Sequence, residues 1–214
     1  KQQKENIEIS IFQDGVWDKQ IHTIEIIDGN YKKNEIIKVA KSKVTLSKKN
    51  KTKTSNEYGT VFKSVYSKIT PKSLTNSKEF INPMTSKITS AYGNARIYNG
   101  VTKSYHTGTD FRGAVGSDIF ASNDGIVALV MDRFYLGLVV YIDHGHGAYS
   151  YYSHLSKTLV KNGDHVKRGE LIAKSGQSGR VTGPHLHYAM RLHNVTVDPL
   201  EYANIYNTII KKYH

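Results

Sequence analysis

The stretch Gly183-Pro-His185-Leu-His187-Tyr-Ala-Met190 combines strand-like alternation with a pair of histidines. Side chains at positions i and i+2 of a β-strand lie on the same face, so His185 and His187 are predicted to project together. The intervening positions are predicted to face a core: Leu186, Tyr188 and Met190. The H-x-H pair alone is a weak signal for a metal, because a single histidine is more often a satisfied surface or core residue than a ligand.

A second cluster, His106-Thr-Gly-Thr-Asp110, adds a carboxylate. Its two ends are four residues apart, a spacing that places them on one face of a strand or of a helix, and Gly108 keeps that face clear. Two histidines and one carboxylate are a sufficient ligand set for catalytic zinc, with the fourth position left to water. Zinc lowers the pKa of such a water from ~15.7 to about 7, so a nucleophile exists at neutral pH.

A three-ligand set leaves two further histidines beside the metal, and His154 and His185 are the candidates. A neutral imidazole can accept a proton from the attacking water, whereas a protonated one can stabilise the oxyanion or protonate the leaving amine. Several tyrosines near these motifs are candidates for the same work, and the sequence does not single one out. The two clusters together, with His154 between them, are far more specific than either alone.

The segment from Phe80 onward alternates short β-rich runs with most of the 17 glycines. Glycine supplies the positive-φ positions of tight turns, so this texture predicts a compact, mostly antiparallel β domain that ends near Tyr202. The fold class is therefore predicted to be mainly β. The predicted strands are Gly125–Met131, Gly137–Asp143, Ala148–His154, Glu170–Ala173 and Leu186–Leu192.

The amino-terminal part has a different pattern. Residues 7–45 contain short alternating stretches separated by the turn signals Asp14-Gly15 and Asp28-Gly29-Asn30, which predict a small antiparallel β domain. The Lys-rich Ser47–Lys53 is interpreted as an exposed connection, and Thr54–Glu57 has the spacing of a capping box at the start of a short amphipathic helix. The predicted organisation is a β-rich domain over 1–53, a helix and linker over 54–82, a catalytic domain over 83–202 and a tail over 203–214.

The composition excludes several kinds of site. The chain has no Cys, which rules out disulfides, thiolate zinc sites and Cys nucleophiles. No apolar run approaches the roughly 20 residues of a membrane helix, so no transmembrane segment is predicted. The net charge of +12 is compatible with a polyanionic partner, but a solvated basic surface explains it as well, and no nucleic-acid-binding motif accompanies it.

The motifs from about Pro83 to Pro199 resemble the lysostaphin and LytM type of zinc metallopeptidases, which cut peptidoglycan cross-links or bridges. The resemblance covers a little over half of the chain. The matching motifs occur in the family's order: Ile88–Gly93, Tyr105–Phe111, Ala121–Val127, Ile142–Gly145, Tyr152–Leu155, Gly163–Gly169, Ser178–His187 and Val197–Pro199. The amino-terminal region is also similar, more weakly, to the small β domains that precede the catalytic domain in some Gram-negative envelope members.

The resemblance implies a role for each site residue. It implies that His106, Asp110 and His187 bind one Zn²⁺ ion and that His154 and His185 are the catalytic pair. It further implies a small antiparallel β architecture with a narrow groove over the metal. The family has a structural Asp-His-Gly where this chain has Asp143-His-Gly145, so His144 is interpreted as a turn residue.

The leading hypothesis is a zinc-dependent endopeptidase that hydrolyses peptide cross-links of peptidoglycan, at the D-Ala to meso-diaminopimelate bond, by attack of zinc-bound water. The alternative is a non-catalytic or autoinhibited cell-envelope protein that binds the wall or activates another hydrolase. A two-His-one-carboxylate iron site and a nucleic-acid binder are weaker hypotheses.

The leading hypothesis also carries expectations about partners and location. The partners are peptidoglycan stem peptides and not nucleic acid, with envelope proteins as candidates for the amino-terminal domain. The chain is expected to be exported to the periplasm or cell envelope. Its first residues lack an initiator Met and the apolar core of a signal peptide, so a signal peptide is presumed to have been removed or to lie outside this sequence.

Overall fold

The computed structural model of the chain describes residues 3–13, 16–26, 31 and 35–213. The chain divides into two compact units, Lys1–Tyr31 and Lys32–His214. The turn signals expected at Asp14-Gly15 and Asp28-Gly29-Asn30 lie outside the described residues. No helix of the described part is both long enough and apolar enough to cross a lipid bilayer.

The first unit is a two-stranded antiparallel sheet. Its strands are β1 (Gln3–Gln13) and β2 (Val16–Ile26), paired in register from Gln3↔Ile26 to Gln13↔Val16. The alternation of Ile and polar residues in this region predicted strands, and that prediction is confirmed. A two-stranded sheet has no second layer of its own, and accordingly Ile21 remains largely exposed at 71%.

The second unit contains thirteen strands and two α-helices among its described residues. The strands are β3 (Glu35–Ile37), β4 (Ile88–Ser90), β5 (Ala95–Tyr98), β6 (Thr102–Tyr105), β7 (Thr109–Arg112), β8 (Asp118–Phe120), β9 (Gly125–Arg133), β10 (Gly137–Asp143), β11 (Ala148–Thr158), β12 (His165–Val166), β13 (Leu171–Ser175), β14 (His185–Leu192) and β15 (Val195–Val197). The helices are α1 (Lys48–Val61) and α2 (Pro199–Tyr213).

A ten-stranded sheet organises this unit and confirms the mainly β, antiparallel prediction. Seven strands follow the order β12-β9-β10-β11-β14-β7-β4; β13 pairs with β11 and β8, and β15 pairs with β14. Every pairing in this sheet is antiparallel. A separate three-stranded sheet has the order β3-β5-β6.

The sheet is covered on both faces. Leu186, Tyr188 and Met190 of β14 point into the larger core, as the alternation in the sequence predicted. Helix α2 packs on this core, where the rings of Tyr202 and Tyr206 meet the edge of the Phe80 ring at 5.4 and 5.0 Å. On the opposite face, a smaller core joins the carboxyl end of α1 and the segment after it to the sheet. Its buried members are Val61, Val65, Leu129, Val139, Tyr141, Tyr149, Tyr151 and Ala189.

The start of α1 differs from the prediction. The helix begins after Ser47, whose hydroxyl accepts the Asn50 N–H at 3.3 Å, so Ser47 is the N-cap and the Lys-rich stretch is helical. Glu57, interpreted from the sequence as a capping residue, lies inside the helix and accepts the Phe134 N–H at 2.9 Å. The tertiary contact of Glu57 therefore outweighs the local capping signal.

The position of β3 also differs from the prediction. Residues 35–37 were expected within an amino-terminal antiparallel domain over 1–53, but β3 pairs in parallel with β5. The Glu35 carboxylate accepts hydrogen bonds from Ser90, Asn94 and Arg96, which fix this segment to the second unit. The second compact unit accordingly begins at Lys32. The division of the chain by function, with limits at residues 53, 82 and 202, stays a prediction.

His144 is a structural histidine, fully buried between core elements. Its Nδ1–H donates to the Asp124 carbonyl at 2.7 Å, and its Nε2 accepts the Ser150 hydroxyl at 2.8 Å. Burial lowers the pKa of His144 to about 4, and this lowering outweighs the opposing effects of the Asp124 carbonyl and of the Asp143 and Asp124 charges. The ring is therefore neutral in the folded protein near pH 7.

We expect His144 to make stability fall in mild acid. Its folded-state pKa lies below the unfolded value of ~6.5, so its contribution is complete above pH ~6.5 and is lost as the pH falls toward about 4. Between pH 7 and pH 4.5, the wild-type free energy of unfolding should fall by about 2 kcal/mol more than that of His144→Gln. Urea unfolding of both proteins at the two pH values tests this, and an equal fall in both would contradict it.

Candidate metal centre

The antiparallel pairing of β7 with β14 builds the site. The register places Asp110 opposite His187 and Arg112 opposite His185, so these four side chains share the sheet face opposite to the one that buries Phe111, Leu186 and Tyr188. His106 lies three residues before β7 and is 2% exposed.

Three potential ligand atoms converge at this point. His106 Nε2 lies 3.0 Å from Asp110 Oδ1 and 2.9 Å from His187 Nδ1, and Asp110 Oδ1 lies 2.9 Å from His187 Nδ1. All three residues are buried. Among the described residues, this is the group of His and acidic side chains whose geometry could hold a metal ion.

Gly108 is required for this convergence. A Cβ at position 108 would lie 2.5 Å from the Tyr188 carbonyl oxygen and 2.7 Å from Cε1 of His187. Any larger residue would therefore push β14 and the His187 ring away from β7. The structure thus gives a physical reason for the glycine between His106 and Asp110.

The hydrogen bonding of the three residues fits a cation better than a shared proton. His106 Nδ1 lies 2.8 Å from the Ala91 carbonyl, which can only accept, so Nδ1 carries the proton and Nε2 presents a lone pair to the cluster. Asp110 Oδ1 is a second acceptor. A single proton on His187 Nδ1 cannot be donated to both His106 Nε2 and Asp110 Oδ1. Tetrahedral zinc, in contrast, accepts two histidine nitrogens and one carboxylate oxygen, with bond lengths of about 2.0–2.2 Å.

A buried arginine binds the second oxygen of the Asp110 carboxylate. Arg96 Nη2 donates to Asp110 Oδ2 at 2.5 Å, and Arg96 Nε donates to Glu35 at 3.1 Å. Burial lowers the pKa of Arg96, but attraction to Asp110 outweighs this effect and raises it. Burial raises the pKa of Asp110, but hydrogen bonds to His106 and His187 outweigh this and place it well below its usual range. The Asp110 carboxylate is therefore ionised, and its Oδ1 faces His106 and His187, where a metal ion could be bound.

The two remaining histidines flank the cluster. The ring centroids of His154 and His185 are 4.7 Å apart, and His185 Nε2 lies 3.8 Å from Asp110 Oδ1. His154 Nδ1 donates to the Ser178 carbonyl at 2.8 Å, and His185 Nδ1 donates to the Gly183 carbonyl at 2.9 Å. In the neutral state, each ring therefore carries its proton on Nδ1 and a lone pair on Nε2.

Burial is the main reason that His154 is neutral. It lowers the pKa of His154 to about 3, assisted by the nearby His185 and His187. The backbone of His154 has a φ of 63°, a left-handed conformation that residues other than glycine seldom adopt. This conformation turns the chain where β11 leaves β14 and pairs with β13.

Two cavities adjoin the cluster. The larger, of about 690 Å³, is lined by Asp110 and His185 together with residues of β3, β4, β7 and the loop before β14. The smaller, of about 90 Å³, is lined by His106, His154 and His187. Arg180 also lines this cavity, and its guanidinium lies against the rings of Tyr98 and Tyr135, at 3.8 and 4.4 Å from their centroids.

The structure thus brings together all five residues that the sequence singled out, and it adds three that the sequence did not. Arg96, Glu35 and Arg180 reach the site through contacts between residues distant in sequence. Arg96 lies only three residues after the Ile88–Gly93 motif, and Arg180 lies inside the Ser178–His187 motif. These positions were the signals from which the two arginines could have been found.

Comparison with known proteins identifies the scaffold. The profile of peptidase family M23 matches residues 104–199. The structure also superposes on the catalytic domain of the prophage-encoded M23 protein EnpA from Enterococcus faecalis, with a TM-score of 0.50 and 33% identity over 57% of this chain and 97% of that one. The chain belongs to peptidase family M23.

Two further similarities bear on the chemistry of this M23 chain. A zinc-containing peptidase from Vibrio cholerae superposes with a TM-score of 0.53 and 36% identity, over 56% of this chain and 39% of that one. Peptidoglycan DD-endopeptidase ShyA from Vibrio cholerae is 45% identical over 100 residues, which are 47% of this chain and 23% of ShyA. The match therefore spans about a quarter of the length of this curated relative.

We expect Arg96 to set the metal affinity of this M23 site. In Arg96→Ala, Asp110 Oδ2 loses its charged partner in a buried place, so the carboxylate is less well oriented and zinc affinity should fall about 10- to 100-fold. Competition with a chelating dye measures the affinity, and Lys78→Ala, at an ion pair away from the cluster, serves as the control. An affinity equal to wild type in a folded Arg96→Ala protein would contradict the role.

Proposed function

We propose that this chain is a zinc-dependent endopeptidase that hydrolyses peptide cross-links of bacterial peptidoglycan. The observation that carries the proposal is the convergence of His106, Asp110 and His187 within 3.0 Å of one another, beside two histidines with free Nε2 atoms, on an M23 scaffold. The relative ShyA is named a peptidoglycan DD-endopeptidase, which supports a bond between two D-centres, such as D-Ala to meso-diaminopimelate. The comparisons give no support to the non-catalytic alternative.

The proposed ligands are His106 through Nε2, Asp110 through Oδ1 and His187 through Nδ1. A bound zinc ion would act as a Lewis acid on the scissile carbonyl and would lower the pKa of a water at its open position. Arg96 orients the Asp110 carboxylate by donating to Oδ2, and despite burial the hydrogen bonds to His106 and His187 keep the pKa of Asp110 well below its usual range. The Ala91 carbonyl performs the same orienting task for the His106 ring.

The proposed catalytic pair is His154 and His185. In its neutral state each ring holds its proton on Nδ1 and offers Nε2 as a base, so one of the pair can take a proton from the attacking water. Once protonated at Nε2, the same ring can donate that proton to the leaving amine. Their proximity, 4.7 Å between ring centroids, lets the two act on one scissile bond.

The location and partners follow from the proposed substrate. Peptidoglycan lies outside the cytoplasmic membrane, so we propose an extracellular or periplasmic location, and the periplasm in particular if the substrate contains meso-diaminopimelate. The stem peptides are the proposed partners, and nucleic acid is not. We keep as a proposal that residues 83–202 carry the activity and that the amino-terminal region contacts envelope proteins.

Metal-dependent release of new peptide ends tests the proposed function. Purified cross-linked stem peptides are incubated with the protein as isolated, after chelator treatment, and after zinc is restored. We expect new amino groups to appear with the first and third preparations and to be absent with the second. Equal release after chelation, or no release by the zinc-restored protein, would contradict the proposal.

A further inference from the structure

The larger cavity beside the cluster is lined by a positively charged side chain, Arg112, that has no role in the proposed hydrolysis. This cavity of about 690 Å³ is lined both by Asp110 and His185 and by Arg112. Thr89 and Thr182 add hydroxyl groups to the lining. The reacting centre and the Arg112 side chain therefore open into the same space.

The sheet register places Arg112 next to the catalytic pair. Arg112 follows Asp110 by two residues on β7, so both side chains lie on the same face, and Arg112 is the cross-strand partner of His185. Cβ atoms of such partners are about 4.5–5.5 Å apart. A substrate that spans the cluster toward this side of the cavity must therefore pass the Arg112 guanidinium.

The charge of Arg112 is not neutralised by the surrounding protein. Two acidic residues line the cavity, Asp110 and Glu35. Asp110 is engaged by the cluster and by Arg96, and Glu35 is engaged by Ser90, Asn94 and Arg96. Arg112 itself is exposed and has no carboxylate partner within the described part of the chain. Its guanidinium is available to a ligand.

We propose that Arg112 binds a free carboxylate of the substrate peptide and makes the enzyme selective for the acid over the amide. A guanidinium presents paired N–H donors that match the two oxygens of a carboxylate. An extended peptide advances about 3.3–3.6 Å per residue, so the carboxylate recognised lies within one to two residues of the scissile bond. This inference rests on the proposed function, and it narrows the substrate class to cross-links with an unamidated acid at that position.

Matched substrates test the selectivity. One cross-linked peptide carries the free carboxylate next to the scissile bond, and the other carries the amide at the same position. The kcat and KM values for both are measured with wild type, Arg112→Gln, Arg112→Lys and the control Lys87→Gln. Lys87 is an exposed cation close to β7 that does not line the cavity. Calorimetric binding of the corresponding uncross-linked peptides gives a second readout that needs no turnover.

We expect wild type to favour the acid over the amide by about 10- to 100-fold in kcat/KM, mainly through KM, because a hydrogen bond to a charged group is involved. The ratio should fall to within about twofold of one in Arg112→Gln, stay partly preserved in Arg112→Lys, and equal wild type in Lys87→Gln. The inference would be overturned if wild type showed no preference for the acid, or if Arg112→Gln kept that preference in both catalysis and binding. Either result would leave the proposed function intact. If neither peptide is cleaved but wild type still binds the acid more tightly than the amide, and Arg112→Gln does not, the proposed function is rejected instead.

Discussion

Asp110→Ala is expected to lose zinc and peptidase activity together. The substitution removes the proposed anionic ligand of the cluster, and the buried Arg96 guanidinium, formerly 2.5 Å from Asp110 Oδ2, keeps only Glu35 as its charged partner. Without the Asp110 charge, a cation at the metal position faces the positive charge of Arg96 with one carboxylate fewer to balance it, which disfavours binding in a buried site. Metal content should fall from one equivalent to near zero at micromolar zinc, and activity should fall by at least about 10³-fold.

Elemental analysis of the dialysed protein and hydrolysis of a cross-linked peptide measure the two effects. Asp118→Ala is the matched control, because Asp118 lies on β8 away from the cluster, where it pairs with Lys174. The control should keep both zinc and activity. Full zinc content in a folded Asp110→Ala protein would show that the carboxylate is not a ligand.

His154→Ala and His185→Ala are expected to keep zinc and lose most of the activity. Neither residue is among the three whose side chains converge on the metal position, but each ring, when neutral, offers Nε2 for proton transfer. The loss of a general acid or base typically lowers the rate about 10²- to 10⁴-fold. The decrease should appear in kcat, because the proton is transferred in the chemical step.

His187→Ala provides the contrast, since the same kind of substitution two residues along β14 should remove the metal. Metal analysis and kinetics of the three alanine variants are therefore compared, with His165→Ala as a control at an exposed histidine on β12. If His185→Ala loses zinc and His187→Ala retains it, the ligand and catalytic roles of the H-x-H pair are the reverse of those proposed here.

Short-range periodicity accounts for what the sequence predicted about the site. The alternation along β14 was sufficient to assign Leu186 and Tyr188 to the core and His185 and His187 to the opposite face. The spacing of His106 and Asp110 predicted a shared face, and the structure places their ligand atoms 3.0 Å apart. The pattern along β14 depends only on the two-residue repeat of a strand. The approach of His106 to Asp110 depends in addition on the close packing at Gly108.

Contacts between distant segments account for what the sequence did not predict. The parallel pairing of β3 with β5 joins segments about 60 residues apart, and no local pattern encodes it. Beyond its closeness to one family motif, the sequence around Arg96 has no feature that distinguishes it from other charged residues, and its role depends on β5, which places it between Asp110 and Glu35. Similarly, Glu57 had the spacing of a capping residue, and only the approach of Phe134 explains its position inside α1.

Hydrolysis of a purified cross-linked peptidoglycan dimer in oxygen-18-labelled water is the most direct test of the central claim. The zinc-loaded chain should convert the dimer into two monomers, and mass spectrometry should find a single labelled oxygen atom in the newly formed carboxyl group of one of them, with no conversion by Asp110→Ala. This outcome would identify both the bond cut and water as the nucleophile. An intact dimer, products without label, or label acquired equally with Asp110→Ala would contradict the claim that this chain is a zinc endopeptidase.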